Sequence, residues 1–190
     1  FTTSNYGGIN SITFIHNPEK STLDTIFINL QYDENDESSI PDNKINTFIE
    51  DRAGNVWFGT ANNGLSFHSA IASKFSSIKY DSENEWGLLR SKIYSIEATE
   101  NDFLWVATDY GLEYLSSDGI RYDDISKSEL GVNQITDIYF GDKNILWVGS
   151  TNGLLKIDLN EFTTSYRGFN LKKLNNFNLN QIKGKGYSFF

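Results

Sequence analysis

Carboxylates are the groups this chain holds in greatest number for chemistry. Its 190 residues include 25 Asp and Glu against 16 Lys and Arg, with two histidines and no cysteine. Two acids flanking a glycosidic bond can hydrolyse it, one as proton donor and the other as base or nucleophile. No spacing singles out such a pair here. His16 and His68 stand far apart, and His68, at the end of a strand-like run, reads as a hydrogen-bonded structural residue. The sequence contains no nucleophile elbow, paired-histidine zinc helix or phosphate-binding loop. No catalytic residue and no cofactor are assigned. The stretch Asp51-Arg52-Ala53-Gly54-Asn55 has the look of a calcium loop. Calcium takes about six to eight oxygen ligands, and the equivalent places in two related stretches hold Thr99 and Gly141. Asp51 therefore reads as a turn cap, and no metal is expected.

Recognition chemistry is better represented. Amides and carboxylates form paired hydrogen bonds to hydroxyl groups, and flat aromatic rings stack on sugar faces. Short polar turns place Tyr6, Asn62, Asn63, Asp109, Tyr110 and Asn152 in this class, and the acidic loop DSENEWGLLRSK adds Trp86. These seven residues form the candidate ligand-binding set. For Trp86 the competing reading is a cover over the edge of a neighbouring sheet. The run Asp33–Glu37 reads as a solvated loop.

The elements that must carry these turns repeat. NVWFGTANNGLSF, FLWVATDYGLEYL and ILWVGSTNGLLKI are variants of one phrase, anchored on Trp57, Trp105 and Trp147. Upstream of each tryptophan an isoleucine stands at one fixed offset (Ile45, Ile93, Ile135). A Tyr-Asp pair precedes each isoleucine at a second fixed offset (Tyr32-Asp33, Tyr80-Asp81, Tyr122-Asp123). Val, Ile, Phe, Tyr, Trp and Thr fill the runs while Gly, Asn and Asp punctuate them, which is strand and hairpin chemistry.

Four short antiparallel strands in a unit of about 40–45 residues, repeated, predict an all-β fold, a β-propeller of four-stranded blades. Full blades are expected at 45–80, 93–122 and 135–169. The end of another falls at 1–32 and the start of a further one at 182–190, so the propeller is incomplete. Three blades cannot close a ring of about 4–8, and the segment by itself is expected to associate through raw sheet edges. Each tryptophan should wedge between neighbouring blades. Gly59, Ala107 or Gly149, two places on, should leave room for a ring from the adjacent sheet. Thr60, Thr108 or Ser150 should bond the following turn, and Gly54, Asp102 or Asn144 should supply the positive φ of the preceding one. The turns after the second strands and the crossings between blades are expected on one face, around the mouth of the channel.

The pattern carried by Ile45, Asp51, Gly54, Asn55, Trp57, Gly59, Thr60, Gly64 and Leu65 resembles the two-component regulator propeller repeat. Trp105, Ala107, Thr108, Gly111 and Leu112 repeat its core, as do Trp147, Gly149, Ser150, Gly153 and Leu154. Streptogramin-lyase-like propellers carry related words. The resemblance implies the periplasmic sensor region of a Bacteroidetes hybrid two-component system whose parent is a histidine kinase, this segment itself being no enzyme. It further implies an oligosaccharide ligand, a homodimeric parent, contacts with the rest of that receptor, and control of glycan-utilisation genes. A protein–protein interaction platform and a propeller lyase or glycosidase are the alternatives.

Charge and hydropathy agree with a recognition role outside nucleic-acid binding. The formal net charge is −9 with no basic run, so the surface repels phosphate backbones. No apolar stretch approaches the roughly 18 residues of a membrane span, so neither nucleic-acid binding nor membrane insertion by this segment is expected.

Overall fold

The computed structural model describes residues 2–4, 7–18, 21–69, 75–81, 83, 86–99, 103–159, 164–165 and 168–169. Strands β4 (Ile45–Glu50), β5 (Val56–Thr60), β6 (Leu65–His68) and β7 (Phe75–Ile78) form one antiparallel sheet in chain order. A second such sheet holds β8 (Ile93–Ala98), β9 (Phe103–Thr108), β10 (Gly111–Ser116) and β11 (Arg121–Ser126). The third has three strands, β12 (Ile135–Gly141), β13 (Ile145–Ser150) and β14 (Gly153–Asp158). Ahead of them, β1 (Thr2–Ser4), β2 (Gly8–Asn17) and β3 (Thr22–Leu30) pair in order as the end of a blade. Beyond β14, β15 (Thr164–Ser165) and β16 (Gly168–Phe169) pair with each other. The start of a blade expected at 182–190 lies outside the described residues. The fold is an incomplete β-propeller.

One short helix, α1 (Lys127–Leu130), sits in the crossing to β12. Ser126 accepts the Glu129 backbone N–H, the Glu129 carboxylate accepts the Ser126 N–H, and Gly131 closes the helix at φ 67°.

The three phrases occupy β5, β9 and β13, and their side chains alternate between neighbouring blades. Trp57 packs with Ile93, Ile96, Leu104 and Val106 of the following sheet, and Trp105 with Ile135, Ile138, Leu146 and Val148 of the next. Both are buried; Trp147, at the outer face of the third sheet, is half-buried. On the other face of the first full blade, Val56 and Phe58 close over Ile9 and Ile40. Burial of each indole removes about 150–250 Å² from water, the largest contribution a single side chain makes to these seams.

The small residue two places after the tryptophan is required for a reason other than the expected one. A Cβ at Gly59 would lie 2.5 Å from Cγ2 of Ile93 and 2.7 Å from Cγ2 of Thr47. The space is filled by the isoleucine that opens the next inner strand, not by an aromatic ring.

A feature absent from the reading of the repeat recurs in every inner strand. The register shifts between Ile45 and Thr47, between Ile93 and Ser95, and between Ile135 and Asp137. Each shift marks a bulge, over Asn46, Tyr94 and Thr136 respectively. Bulges bend a strand and re-aim its side chains; Asn46 Nδ2 thereby donates 2.7 Å to the Ile93 carbonyl of the neighbouring blade.

Candidate functional site

The turns that carry most of the candidate residues are fixed by the hydroxyl closing each second strand. Thr60 Oγ1–H donates to the Gly64 carbonyl at 2.8 Å and accepts the Asn63 N–H at 2.9 Å. Ser150 Oγ donates to the Gly153 carbonyl at 2.7 Å, and Thr108 Oγ1 accepts the Tyr110 N–H at 3.2 Å. Gly64 sits at φ 80°, and a Cβ there would lie 2.4 Å from the Ile78 carbonyl oxygen, so the turn admits no side chain. Backbone bonds then tie these turns to the crossings. Ala61 donates to Lys44, Gly64 to Ser91 and Thr151 to Gln134. The three turns therefore share one end of the blades, as the alternation of strand directions demands.

At this rim the asparagine NH2 groups are engaged. Asn62 Nδ2 donates to Asp42 at 3.0 Å and Asn63 Nδ2 to the Pro41 carbonyl at 2.9 Å. Asn152 Oδ1 accepts the Asn133 N–H at 3.1 Å, and its Nδ2 donates 3.2 Å to the Gly131 carbonyl. In each case the amide clasps the preceding crossing. Tyr110 donates 2.8 Å to the Asp124 carboxylate and lies under the Arg90 guanidinium, 5.8 Å from the ring centroid. Burial, then the Asp124 bond, pushes its hydroxyl up to about 12, so it stays a neutral donor at physiological pH. Asp109 differs: its Oδ1 is buried and has no hydrogen-bond partner among the described residues. Tyr6 lies outside the described residues.

Trp86 lies where the end of β7 meets the loop between β10 and β11 of the next blade. Leu88 N–H donates 2.9 Å to the Lys79 carbonyl, so residues 86–88 stay beside the end of β7 and also meet the next blade. Arg121 Nη1 donates 3.0 Å to the Gly87 carbonyl, Gly87 N–H donates 3.1 Å to Gly119, and Trp86 bridges Ile120. The loop 117–120 joins β10 to β11 at the end of the blade opposite Asp109 and Tyr110. Arg121 and Glu113 thus tie the crossing to the outer strands of the following blade. Trp86 remains 58 % exposed.

Two ionisable groups lie outside the expected set. Glu113 is fully buried in the middle of β10, accepting the Leu89 N–H at 2.7 Å and the Thr108 hydroxyl at 3.0 Å. Burial pushes it up to about 7, against those two bonds and the Arg121 charge. Glu97, on β8, lies in a hollow of about 500 Å³ on the inner strands, with Thr47, Ser95, Asp137 and Tyr139. Burial pushes Glu97 up to about 7 against the stabilising N–H of Phe140, and the Asp137 charge adds to the rise. Asp137 accepts the Ser95 hydroxyl at 2.6 Å. A charge amid leucines in GLEYL was the signal for Glu113; nothing in the spacing marked Glu97.

His68 and Asp51 are structural in kind. His68 packs 4.9 Å from the Phe75 ring, and Asp51 is a turn cap. Asp51 accepts backbone N–H groups of Ala53 at 3.0 Å and Asn55 at 2.9 Å, and the Trp57 indole N–H at 2.8 Å. The turn reaches φ 80° at Gly54, and its counterpart reaches φ 56° at Asn144; Asp102 lies outside the described residues.

The family model described as two component regulator propeller matches residues 39–62. Over those residues the chain is similar to a two component regulator propeller repeat. The chain is also similar in structure to the extracellular domain of a hybrid two component system from B. thetaiotaomicron. The identity is 19 %, with a TM-score of 0.60, over 87 % of this chain and 20 % of that one. A second such domain from B. thetaiotaomicron gives 16 % identity and a TM-score of 0.51, over 93 % of this chain and 22 % of that one. These likenesses establish the propeller fold. The chain thus spans about a fifth of the length of either neighbour. No curated protein matches its sequence significantly. Among the described residues no helix is long and apolar enough to cross a membrane.

Proposed function

We propose that the chain is a ligand-sensing segment of the periplasmic, extracytoplasmic region of a hybrid two-component receptor. Its ligand is an oligosaccharide, and its parent is a homodimeric histidine kinase that controls transcription of glycan-utilisation genes. The observation that carries this reading is the similarity to a two component regulator propeller repeat at residues 39–62, set in a propeller whose turns gather polar groups at one rim. Within that rim Asp109 holds a buried acceptor with no partner among the described residues, and Tyr110, held neutral beside it, presents an aromatic ring. A sugar hydroxyl donating to Asp109 Oδ1 would satisfy a buried oxygen that otherwise costs about 1–3 kcal/mol.

Titration calorimetry of the purified protein against a panel of oligosaccharides tests this reading. Binding of one sugar, weakened at least tenfold by Asp109→Ala, is the expected outcome. Silence across the panel would favour the second reading, a docking platform. That alternative has its own support in the asparagine NH2 groups of the rim, which are spent on holding crossings, and in the large apolar side chains left exposed on β2 and β3.

A further inference from the structure

The outer hairpin of the first blade departs from its equivalents. β2 and β3 run 10 and 9 residues, against 4 for both β6 and β7 and 6 for both β10 and β11. Ile9 stands where Leu65 stands in the following blade, so the far half of β2 projects past its neighbour. At about 3.3 Å per residue this is an overhang of roughly 17 Å.

The ladder between β2 and β3 runs through nine pairs, Ile9–Leu30 to Asn17–Thr22, without a register shift. Its apolar residues point both ways. Ile12, Phe14, Leu23 and Phe27 occupy one face, and Ile15, Ile26 and Ile28 the other. Phe14 is 67 % exposed, Leu23 65 % and Phe27 73 %. Leu23, Ile26, Phe27 and Ile28 stand on β3 itself, so a strand paired at its edge would cover part of each, on both faces.

The edge itself is unguarded. β3 is the last strand of its sheet among the described residues. Its sequence TLDTIFINL has one charge, Asp24, and no proline. Natural edges are blunted by shortness, charge, proline or bulges. β7 is short, and β11 carries Arg121 and Asp124; β3 has none of these devices beyond Asp24.

We infer that β3 pairs edge to edge, antiparallel, with β3 of a second copy of this chain, about a two-fold axis at Ile26. A self-complementary patch is what such a symmetric dimer requires. In this register Thr25 faces the partner copy's Phe27 position, and Asp24 faces the Ile28 position. The two Asp24 carboxylates then lie about 13 Å apart, beyond the screening length at physiological salt. A parallel pairing would set them face to face. The inference does not depend on what the receptor senses.

The chain has no cysteine, so single introduced thiols report pairing without background. Directly opposed residues in antiparallel strands have Cα atoms about 4.5–5.5 Å apart, within disulfide reach. Ile26→Cys in the purified protein should give a covalent dimer under mild oxidation. Phe27→Cys, which faces position 25 across the axis, should stay uncrosslinked, and Ile26→Lys should shift the light-scattering mass from dimer to monomer. A monomeric Ile26→Cys protein overturns the pairing. Equal crosslinking of both thiols overturns it too, because it shows unspecific association.

Discussion

Replacing Glu113 with Gln should change how stability responds to pH. Glu113 is fully buried in β10, with the Leu89 N–H on one oxygen and the Thr108 hydroxyl on the other. Its pKa rises from 4.5 to about 7 on folding, chiefly through burial. The folded state therefore holds this proton more tightly than the unfolded state. The stabilisation is complete below pH 4.5 and is lost as pH rises through about 7. At 1.36 kcal/mol per unit the full swing is about 3 kcal/mol. Gln at 113 cannot ionise, and it can still accept the Leu89 N–H while its amide faces Thr108. Urea unfolding at pH 5, 6, 7 and 8 should show the variant level with the unaltered protein at pH 5. It should be more stable by roughly 2–3 kcal/mol at pH 8. Glu97, raised in the same direction by burial but more open to solvent, should contribute a smaller part of the slope, removed by Glu97→Gln. Parallel pH profiles for Glu113→Gln and the unaltered protein would refute the reasoning. Glu113→Ala should instead destabilise at every pH, because it strands the Leu89 N–H and opens a cavity.

Two further changes follow from the repeat. Thr99→Asp should transplant the Asp51 cap to the next blade, where Trp105 Nε1 is buried with no partner among the described residues. Satisfying that indole should stabilise by about 1 kcal/mol in urea unfolding. Gly59→Val should destabilise by about 2–3 kcal/mol, measured the same way, since even its Cβ would lie 2.5 Å from Ile93.

The fold was legible because each blade repeats the same local rules in the same order. Glycine after the second turn, a hydroxyl before it, and a large ring before a small residue each meet a need set by near neighbours in the chain. The bulges over Asn46, Tyr94 and Thr136 were not legible, since three different side chains occupy one place and only backbone pairing defines it. The path of the crossing that carries Trp86 was hidden for another reason. It is set by Glu113 and Arg121, which belong to the outer strands of the following blade, and local composition holds no trace of such bonds. At the rim, the residue types and the shared end of Asn62, Asn63, Asp109, Tyr110 and Asn152 could be read from the repeat. Which amides were engaged depended on where the crossings came to rest. The overhanging hairpin follows from the longer apolar alternation of β2 and β3, where no tryptophan phrase marks the frame.

The wedge between blades is tested most directly by quenching of tryptophan fluorescence in single-tryptophan proteins. With the other three tryptophans changed to Phe, a protein retaining only Trp105 should resist iodide in the native state and yield to it in urea. One retaining only Trp86 should be quenched in both. Native Trp105 quenched as readily as Trp86 would contradict the placement of the repeated indole between neighbouring sheets.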